Sequence, residues 1–350
     1  MHFDPMTATT PTPTPSSTLE YRSPYEQRQN AALSILAQLA PAIGLLCVII
    51  LFSVLRWNTF ATFSNWQVML MQTAVVGTAA MGMTIVIVSG GIDLSVGSNM
   101  ALTTVVVARL LQHGWPPLWA AVGGVVSGGI VGAFIGSLVA FVDLAPFIVT
   151  LGLWGGLRGL AKVIAEETTV DPGRDTWLNH ILHMLEPQQS WMLFPPGVWI
   201  TLVLAILTAG LLRYTRFGWH VFAIGSNELT ARLCGVPVFR TKILVYILGG
   251  MSAALAGVML FSSLTIGDPT TANGKELDVI AAVVIGGASL SGGQGTVTGS
   301  IIGALLMTVI ANGCTKLGRS NSEQEIITGG IIILAAVVDR LRRGKLPRLL

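Results

Sequence analysis

The chain has 350 residues and a formal net charge of +3; 52% of its residues are apolar and only 11% are charged. A soluble domain carries about 25% charged residues because its surface must be solvated. This composition therefore excludes an ordinary soluble enzyme and a disordered chain, and the small net charge gives no reason to expect nucleic acid as a partner. The three cysteines lack the spacing of a zinc site or a disulfide framework. The 40 glycines fit close helix packing in lipid, so the sequence predicts a polytopic membrane protein.

The chain divides into a polar tail, an apolar body and a short basic tail. Residues 1–31 include the run TTPTPTPSST and are predicted to be disordered. A span of ~30 Å of hydrocarbon needs ~20 apolar residues, and about ten apolar segments fill residues 32–341. The predicted fold class is therefore all-α, a polytopic transmembrane helix bundle with glycine-broken helices, followed by a basic tail at 342–350. The predicted spans are 33–55, 68–88, 96–111, 118–142, 147–164, 198–212, 243–264, 279–285 with flanks, 297–311 and 326–341.

The distribution of Lys and Arg predicts the orientation, because cytoplasmic loops carry an excess of both. With ten spans and the N-terminus inside, the inner side receives a basic loop between residues 213 and 242 and the basic C-terminal tail. The outer loops receive most of the acidic residues. Both termini are thus predicted to be cytoplasmic. Arg158 and Lys162 share a helix face near an outer end, where they either reach the interface or line a substrate route.

Two glycine-rich segments interrupt apolar stretches and resemble each other. Aligned from Gly90 and Gly286, they share Gly-Gly, Leu-Ser and a later Gly. Paired glycine-interrupted segments indicate a transport pathway, because irregular backbone at membrane depth persists only inside protein or beside a watery cavity. The alternative is two tight turns at the membrane surface. The candidate pathway residues are Gly90, Gly91, Asp93, Ser95, Gly97, Gly286, Gly287 and Ser291.

Asp93 is the acidic residue inside the first break. An ionisable residue at membrane depth is a candidate for a functional role. An Asp before a helix can also cap it by accepting hydrogen bonds from its free N–H groups. The sequence favours the cap and leaves a role in substrate passage or gating open.

The string LSGGQ at residues 290–294 matches the signature of ABC ATPases. An ATPase also needs a phosphate-binding loop of the form GxxxxGK[ST], and the chain has no such run. The match is therefore interpreted as coincidental. No catalytic residue, metal site or cofactor is expected in this chain, so any ATP hydrolysis would belong to a separate partner.

The inner loop contains the pattern of one short helix over residues 226–234. Either of two polar residues can cap its start, an acidic residue occupies its first turn, and a glycine followed by a proline ends it. So short a helix is not stable alone in water, so it is expected to lie against the spans, a partner or the membrane surface. Its candidate residues are Ser226, Asn227, Glu228, Ala231, Arg232 and Gly235.

At these motifs the chain resembles the membrane permease subunit of ribose-type ABC sugar importers, within the branched-chain-type permease superfamily. The resemblance covers residues 31–342. It is carried by GMT at 82–84, GIDLSVGS at 91–98, PFI at 146–148 with TL at 150–151, the spaced Gly225, Asn227, Ala231 and Gly235, and ELD at 276–278 with IAAVVIGG at 280–287 and SL at 289–290. Gln294 departs from the family's basic residue in the glycine turn, and the outer loop 165–197 is long.

The resemblance implies a multi-pass protein of the bacterial inner membrane that moves a ribose-like monosaccharide by alternating access. It implies four partners: a cytoplasmic ABC ATPase, a periplasmic sugar-binding protein, a second copy of the chain and membrane lipid. It further implies that the short helix at 226–234 is the coupling helix that docks on the ATPase. Two alternatives stay open: an ABC permease for a nucleoside, a furanose signal or a branched-chain amino acid, and an ATP-independent secondary transporter.

Overall fold

The computed structural model describes residues 24–185 and 191–342. Within these residues the regular structure is helical, with one isolated β-bridge between Val170 and Gly267 and no β-strand, which confirms the predicted all-α class. Every predicted span corresponds to a helix. The described part of residues 1–40 is the first half of α1, and the described residues from Pro41 onward form one compact unit. The helices are α1 Pro24–Leu55, α2 Trp57–Phe60, α3 Phe63–Val88, α4 Val96–Gln112, α5 Pro117–Phe141, α6 Pro146–Ile164, α7 Pro196–Tyr214, α8 Arg216–Ser226, α9 Glu228–Leu233, α10 Val238–Leu264, α11 Lys275–Ile285, α12 Val297–Lys316 and α13 Asn321–Arg342.

Six of the described helices are long and apolar enough to cross a membrane, namely α3, α5, α6, α7, α10 and α12. The helices α4 and α11, with 17 and 11 residues, adjoin the two glycine breaks. At 1.5 Å per residue they extend only ~25 Å and ~16 Å, short of the ~30 Å of hydrocarbon. They are therefore partial-length helices, and each is buried at the end that adjoins its break. The number of about ten spans stays a prediction.

The N-terminal boundary differs from the prediction. α1 begins at Pro24, ahead of residue 31, where the disordered tail was expected to end. Proline is favoured in the first helical turn because its missing N–H has no partner there. The polar residues that follow Pro24 are compatible with a helix although they are too polar to be part of a span. Residues 1–23 and 343–350 lie outside the described residues, as do the tail predictions for them.

α3 is the central helix, and buried polar side chains connect it to its neighbours. Thr84 Oγ1 donates to Ser300 Oγ of α12 at 2.7 Å. The hydroxyls of Thr78 and Thr201 of α7 lie 3.0 Å apart, and Ser252 of α10 donates to the carbonyl oxygen of Thr78 at 2.9 Å. Hydrogen bonds of this kind hold helices together in lipid, where the hydrophobic effect provides no force between them.

α5 and α10 approach each other so closely that their contact excludes side chains. A Cβ on Gly128 would overlap Ala254, and one on Gly132 would overlap the carbonyl oxygen of Tyr246. Small residues at a helix crossing let the backbones approach and gain van der Waals contact. This packing explains much of the glycine excess and confirms the interpretation of the composition.

The outward faces of α5 and α7 carry large apolar side chains. Val126, Ile130 and Phe134 of α5 are 50–65% exposed at four-residue spacing, and Ile206 and Leu207 of α7 are similarly exposed. Contiguous apolar surface of this extent is incompatible with water and typical of a lipid-facing helix. These two faces have the composition expected of a lipid-facing surface.

Candidate functional site

The two glycine breaks share one backbone geometry. At the end of α3, the N–H of Gly90 donates to Ile87 O at 2.9 Å and that of Gly91 to Val86 O at 3.0 Å. At the end of α11, Gly287 and Ala288 make the same pair of bonds to Val284 O and Val283 O, at 3.0 and 3.1 Å. Gly90 and Gly287 both have positive φ angles, +88° and +94°, which glycine adopts without strain.

This geometry corrects the alignment of the two breaks by one residue. Gly90 corresponds to Gly287, so the residue that corresponds to Gly286 is Ser89, which caps α3 at its C-terminus. The second break is also longer, since α12 begins at Val297. The Gly-Gly pairs therefore resemble each other in sequence while occupying positions shifted by one.

Asp93 holds the chain between α3 and α4. It is 2% exposed, and its Oδ1 accepts hydrogen bonds from the N–H of Ser95 at 2.8 Å and from its hydroxyl at 2.6 Å. Ser95 directly precedes α4, so Asp93 orders the approach to the helix and does not bind the N–H groups of its first turn. In the second break Ser289 makes a similar local bond, accepting from the N–H of Ser291 at 3.2 Å, although α12 begins only at Val297.

Gly97 brings α4 close to α11. A Cβ on Gly97 would overlap the carboxylate of Glu276, and it would lie 2.6 Å from Ala272 O. Gly97 is in the first turn of α4, whose N–H groups have no partner within the helix. The Glu276 carboxylate, which is 7% exposed, therefore lies at the positive end of α4.

The inner loop differs from the prediction because it contains two helices. α8 ends at Ser226, so Ser226 belongs to that helix, and α9 covers only Glu228–Leu233. Asn227 caps α9, with its Oδ1 accepting from the N–H of Thr230 at 2.9 Å. Gly235, at φ +80°, closes the helix as predicted: its N–H donates to Arg232 O and that of Val236 to Ala231 O.

α9 is anchored on one side and exposed on the other. Ala231 is 4% exposed and packs with Ile224 and Val238. The carboxylate of Glu228 pairs with Lys242 of α10 at 2.8 Å, which fixes α9 to the start of that helix.

The exposed side of α9 carries Leu229 and Leu233, which are 74% and 88% exposed, with the side chain of Arg232 68% exposed between them. The sequence analysis missed both leucines, although their four-residue spacing indicates a common helix face. Two leucines exposed on so short a helix are typical of a contact surface. We call Leu229, Arg232 and Leu233 the α9 surface.

Gly225, at the end of α8, connects α9 to both breaks. A Cβ on Gly225 would overlap Val88 O, and it would lie 2.6 Å from the backbone nitrogen of Gly293. A Cβ on Gly292 would lie 2.9 Å from the Cα of Gly90. Three backbone segments thus meet without intervening side chains. We call Gly90, Gly225, Gly292 and Gly293 the glycine junction.

The structure therefore brings most of the sequence-predicted residues to one end of the bundle. Gly90, Gly286 and Gly287 lie at the ends of α3 and α11, and the predicted helix follows the glycine junction directly. Asp93, Ser95 and Gly97 lie farther along the chain, toward the start of α4. Among the described residues, no group of three His, Cys, Asp or Glu side chains could hold a metal ion.

The bundle of apolar helices, with two partial-length helices beside glycine breaks, defines an integral membrane protein of the transport class. A family model described as "Branched-chain amino acid transport system / permease component" matches residues 66–336. The chain belongs to this family of membrane permeases.

Several curated proteins are similar over most of their length. The chain is 38% identical to the ribose import permease protein RbsC of Bacillus subtilis (strain 168) over 316 residues, 90% of this chain and 96% of that protein. It is 38% identical to RbsC of Escherichia coli (strain K12), over 86% of this chain and 93% of that protein. It is 35% identical to the L-arabinose ABC transporter permease protein AraH of Azospirillum brasilense, over 88% of this chain and 90% of that protein. No solved structure matches the chain.

Proposed function

We propose that the chain is the pathway-forming permease subunit of an ATP-driven importer for a ribose-like monosaccharide. The names of its relatives, two ribose import permeases and an L-arabinose permease, support this assignment. The subunit works by alternating access, in which the partner ATPase biases the equilibrium between two helix packings. ATP is hydrolysed by the partner, and this chain supplies the conduit.

The α9 surface is the docking site for the ATPase. Its leucines would insert into an apolar groove of the partner, and Arg232 would lie at the polar rim of the contact, as in other interfaces. The support for this assignment is the combination of a rigid anchor and an unpartnered face. Ala231 and the Glu228–Lys242 pair prevent α9 from yielding when the partner moves.

The glycine junction transmits movement of α9 to the bundle. Because Gly225 contacts the end of α3 and the α11–α12 segment through backbone atoms, a displacement of α8 and α9 shifts both breaks together. Close-packed contacts transmit displacement with little loss, because interiors have low compressibility. This contact between the docking site and both breaks is the observation on which the proposal chiefly rests.

The pathway lies between this chain and a second copy, along the open side of α6. At Gly152, Gly155, Gly156 and Gly159, a Cβ would meet no described atom within 4 Å. The same side of α6 also carries the exposed apolar residues Ile148 and Val163, so the glycines form a gap between larger side chains. Small residues are typical of helix faces that pack against protein or border a pathway.

The end of the bundle opposite α9 receives the sugar-binding protein. The segment between α6 and α7 lies there, with a cavity of about 510 Å³ lined partly by Asp171, Arg174, Asp175, His180 and His183. In this arrangement α9 and both termini are cytoplasmic and the cavity is periplasmic, in a bacterial inner membrane.

Uptake of labelled sugar into proteoliposomes tests this function. The chain is reconstituted with its ATPase, and the loaded binding protein is added outside. We expect ATP-dependent entry of D-ribose and none of L-leucine. Entry of L-leucine alone would favour an amino-acid permease of the same architecture. Faster entry of L-arabinose than of D-ribose would identify arabinose as the preferred sugar, and the chain would still be a sugar permease.

A further inference from the structure

A polar cluster lies where α6 passes the start of α11. The indole N–H of Trp154 donates to Glu276 Oε1 at 2.9 Å. Arg158, one helical turn after Trp154, donates through Nη1 to Pro269 O at 3.2 Å and Thr271 O at 2.9 Å, in the segment between α10 and α11. Trp154 is 36% exposed although Glu276 is 7% exposed. The cluster is thus buried at Glu276 and partly exposed at the indole of Trp154.

The cluster has hydrogen-bonding capacity that the described residues leave unused. Arg158 Nε and Nη2 and Glu276 Oε2 are buried and have no hydrogen-bond partner among them. Glu276 Oε2 lies at the positive start of α4, which compensates its charge. Of the three Arg158 nitrogens, only Nη1 is hydrogen-bonded among the described residues. Buried polar groups are nearly always paired, so these donors indicate a polar guest.

The space beside the cluster is open. Leu151, Trp154, Gly155 and Arg158 follow the i, i+3, i+4, i+7 spacing of one helix face. A Cβ on Gly155 would meet nothing within 4 Å, so a molecule can lie against the indole and the guanidinium together. This stripe borders the open side of α6, where the pathway has been proposed, and shares Gly155 with it.

We propose that Trp154 and Arg158 form a sugar-contact site inside the pathway and that Glu276 positions the indole; this inference rests on the proposed function. The flat indole face suits the C–H side of a sugar ring. Arg158 is half-buried, and its unpartnered Nε and Nη2 are buried in the sugar-free chain, so the guanidinium turns to donate from them to the sugar's hydroxyl oxygens. One guanidinium and one carboxylate give the site a net charge of zero, which matches a neutral, hydroxyl-rich solute. A site built from one aromatic face and a few polar groups is typical of small-molecule recognition.

The site binds weakly, as passage requires. A transport site must bind strongly enough to receive the solute and weakly enough to release it. It would hold a sugar that the binding protein has released. While it is held, the sugar would not diffuse back to the binding protein as the pathway closes on the outer side and opens on the inner side.

Protection of an introduced thiol tests the site directly. The full complex carries Gly155→Cys in a background where Cys47, Cys234 and Cys314 are replaced by alanine. D-ribose should slow the reaction of this thiol with a maleimide by about fourfold at three times the dissociation constant, because the unoccupied, reactive fraction falls as 1/(1 + [L]/Kd). Gly210→Cys, at an equally open glycine of α7, is the matched control and should react at the same rate with and without ribose.

Further variants establish the roles of the residues. Adding Trp154→Ala or Arg158→Gln should abolish protection, while Glu276→Gln, which retains an acceptor for the indole N–H, should keep most of it. Absence of protection by ribose in the Gly155→Cys variant would overturn the inference, as would protection that survives Trp154→Ala. Protection by L-leucine and not by ribose would show a site for zwitterions and overturn the sugar assignment. Uptake measured in parallel distinguishes the sugar-contact site from the proposed transport function. Protection by ribose without ATP-dependent uptake would support the site and contradict the proposed function.

Discussion

The backbone N–H of Gly293 donates to the carbonyl oxygen of Val88 at 2.8 Å, which joins the second glycine break to the end of the helix before the first. The two residues are far apart in sequence and belong to different broken segments. Gly225 lies against both atoms, so the segment that leads into α9 touches the same point. A displacement at α9 therefore reaches both breaks through three backbone contacts.

Gly225→Ala should uncouple the permease from its ATPase. The added Cβ would overlap Val88 O, so α8 must move away from the junction. We expect sugar uptake to fall about tenfold or more, in line with the 1–3 kcal/mol cost of overpacking, while ATP hydrolysis continues. Uptake and hydrolysis are measured together in proteoliposomes.

Gly210→Ala is the control for this variant, because a Cβ at Gly210 meets no described atom within 4 Å. It should transport like the unmodified chain. Equal uptake by the Gly225→Ala and Gly210→Ala variants would show that the junction does not transmit movement.

Leu229→Glu and Leu233→Glu should each weaken ATPase binding. Both side chains are largely exposed, so these changes leave the bundle intact and place a charge in the proposed apolar contact. Fewer than a third of interface residues cost over 1 kcal/mol when truncated, and these lie near the centre of the contact. The proposal places both leucines there, so we expect at least about a fivefold loss of co-purified ATPase.

Leu193→Glu, at a 57% exposed leucine in the α6–α7 segment, is the matched control and should retain the partner. Ala231→Trp should also release the ATPase, by displacing α9 from Ile224 and Val238, and should lower the thermal stability. Normal ATPase recovery with both leucine variants would place the docking site elsewhere.

Asp93→Asn should be milder than Asp93→Ala. The asparagine oxygen can still accept from Ser95, whereas alanine leaves a buried N–H and hydroxyl unpaired, at a cost of ~1–3 kcal/mol each. Thermal unfolding of the purified variants and sugar uptake provide the measurements. An equal and complete loss of uptake in both variants, with stability retained in Asp93→Asn, would indicate that the negative charge itself acts in transport.

A reporter fused after Leu350 should be active on the cytoplasmic side. The basic C-terminal residues favour retention inside, as the excess of Lys and Arg in cytoplasmic loops predicts. A matched fusion within the α6–α7 segment, for example after Asp175, should report from the outer side. The opposite result for either fusion would overturn the proposed orientation and the assignment of α9 to the ATPase side.

The sequence predicted the helices well because their signal is local. Every predicted apolar segment is a helix, and the caps of α9 follow from Asn227 and Gly235 alone. α8 was missed although its signal is also local: Thr215 caps it, and Phe217, Val221 and Ile224 recur at helical spacing. The short inner connection between long spans was interpreted as a loop with one helix.

The remaining features depend on contacts between distant residues. Nothing near Gly225 in the sequence indicates that Val88 and Gly293 lie against it. The same holds for Glu276 and Trp154, which are 122 residues apart and share a hydrogen bond. The sequence analysis named Arg158 for its position near the end of a span and Glu276 as part of a family motif, and it did not connect the two. A single sequence shows which residues are present, and it does not show which of them are in contact in the folded chain.

Vesicles that contain this chain with and without its ATPase test the central claim most directly. Labelled D-ribose is supplied with the binding protein outside and ATP inside. The account predicts sugar entry with the ATPase and ATP, and no entry above that of empty vesicles for the chain alone. Specific, saturable sugar entry through the chain alone would contradict it.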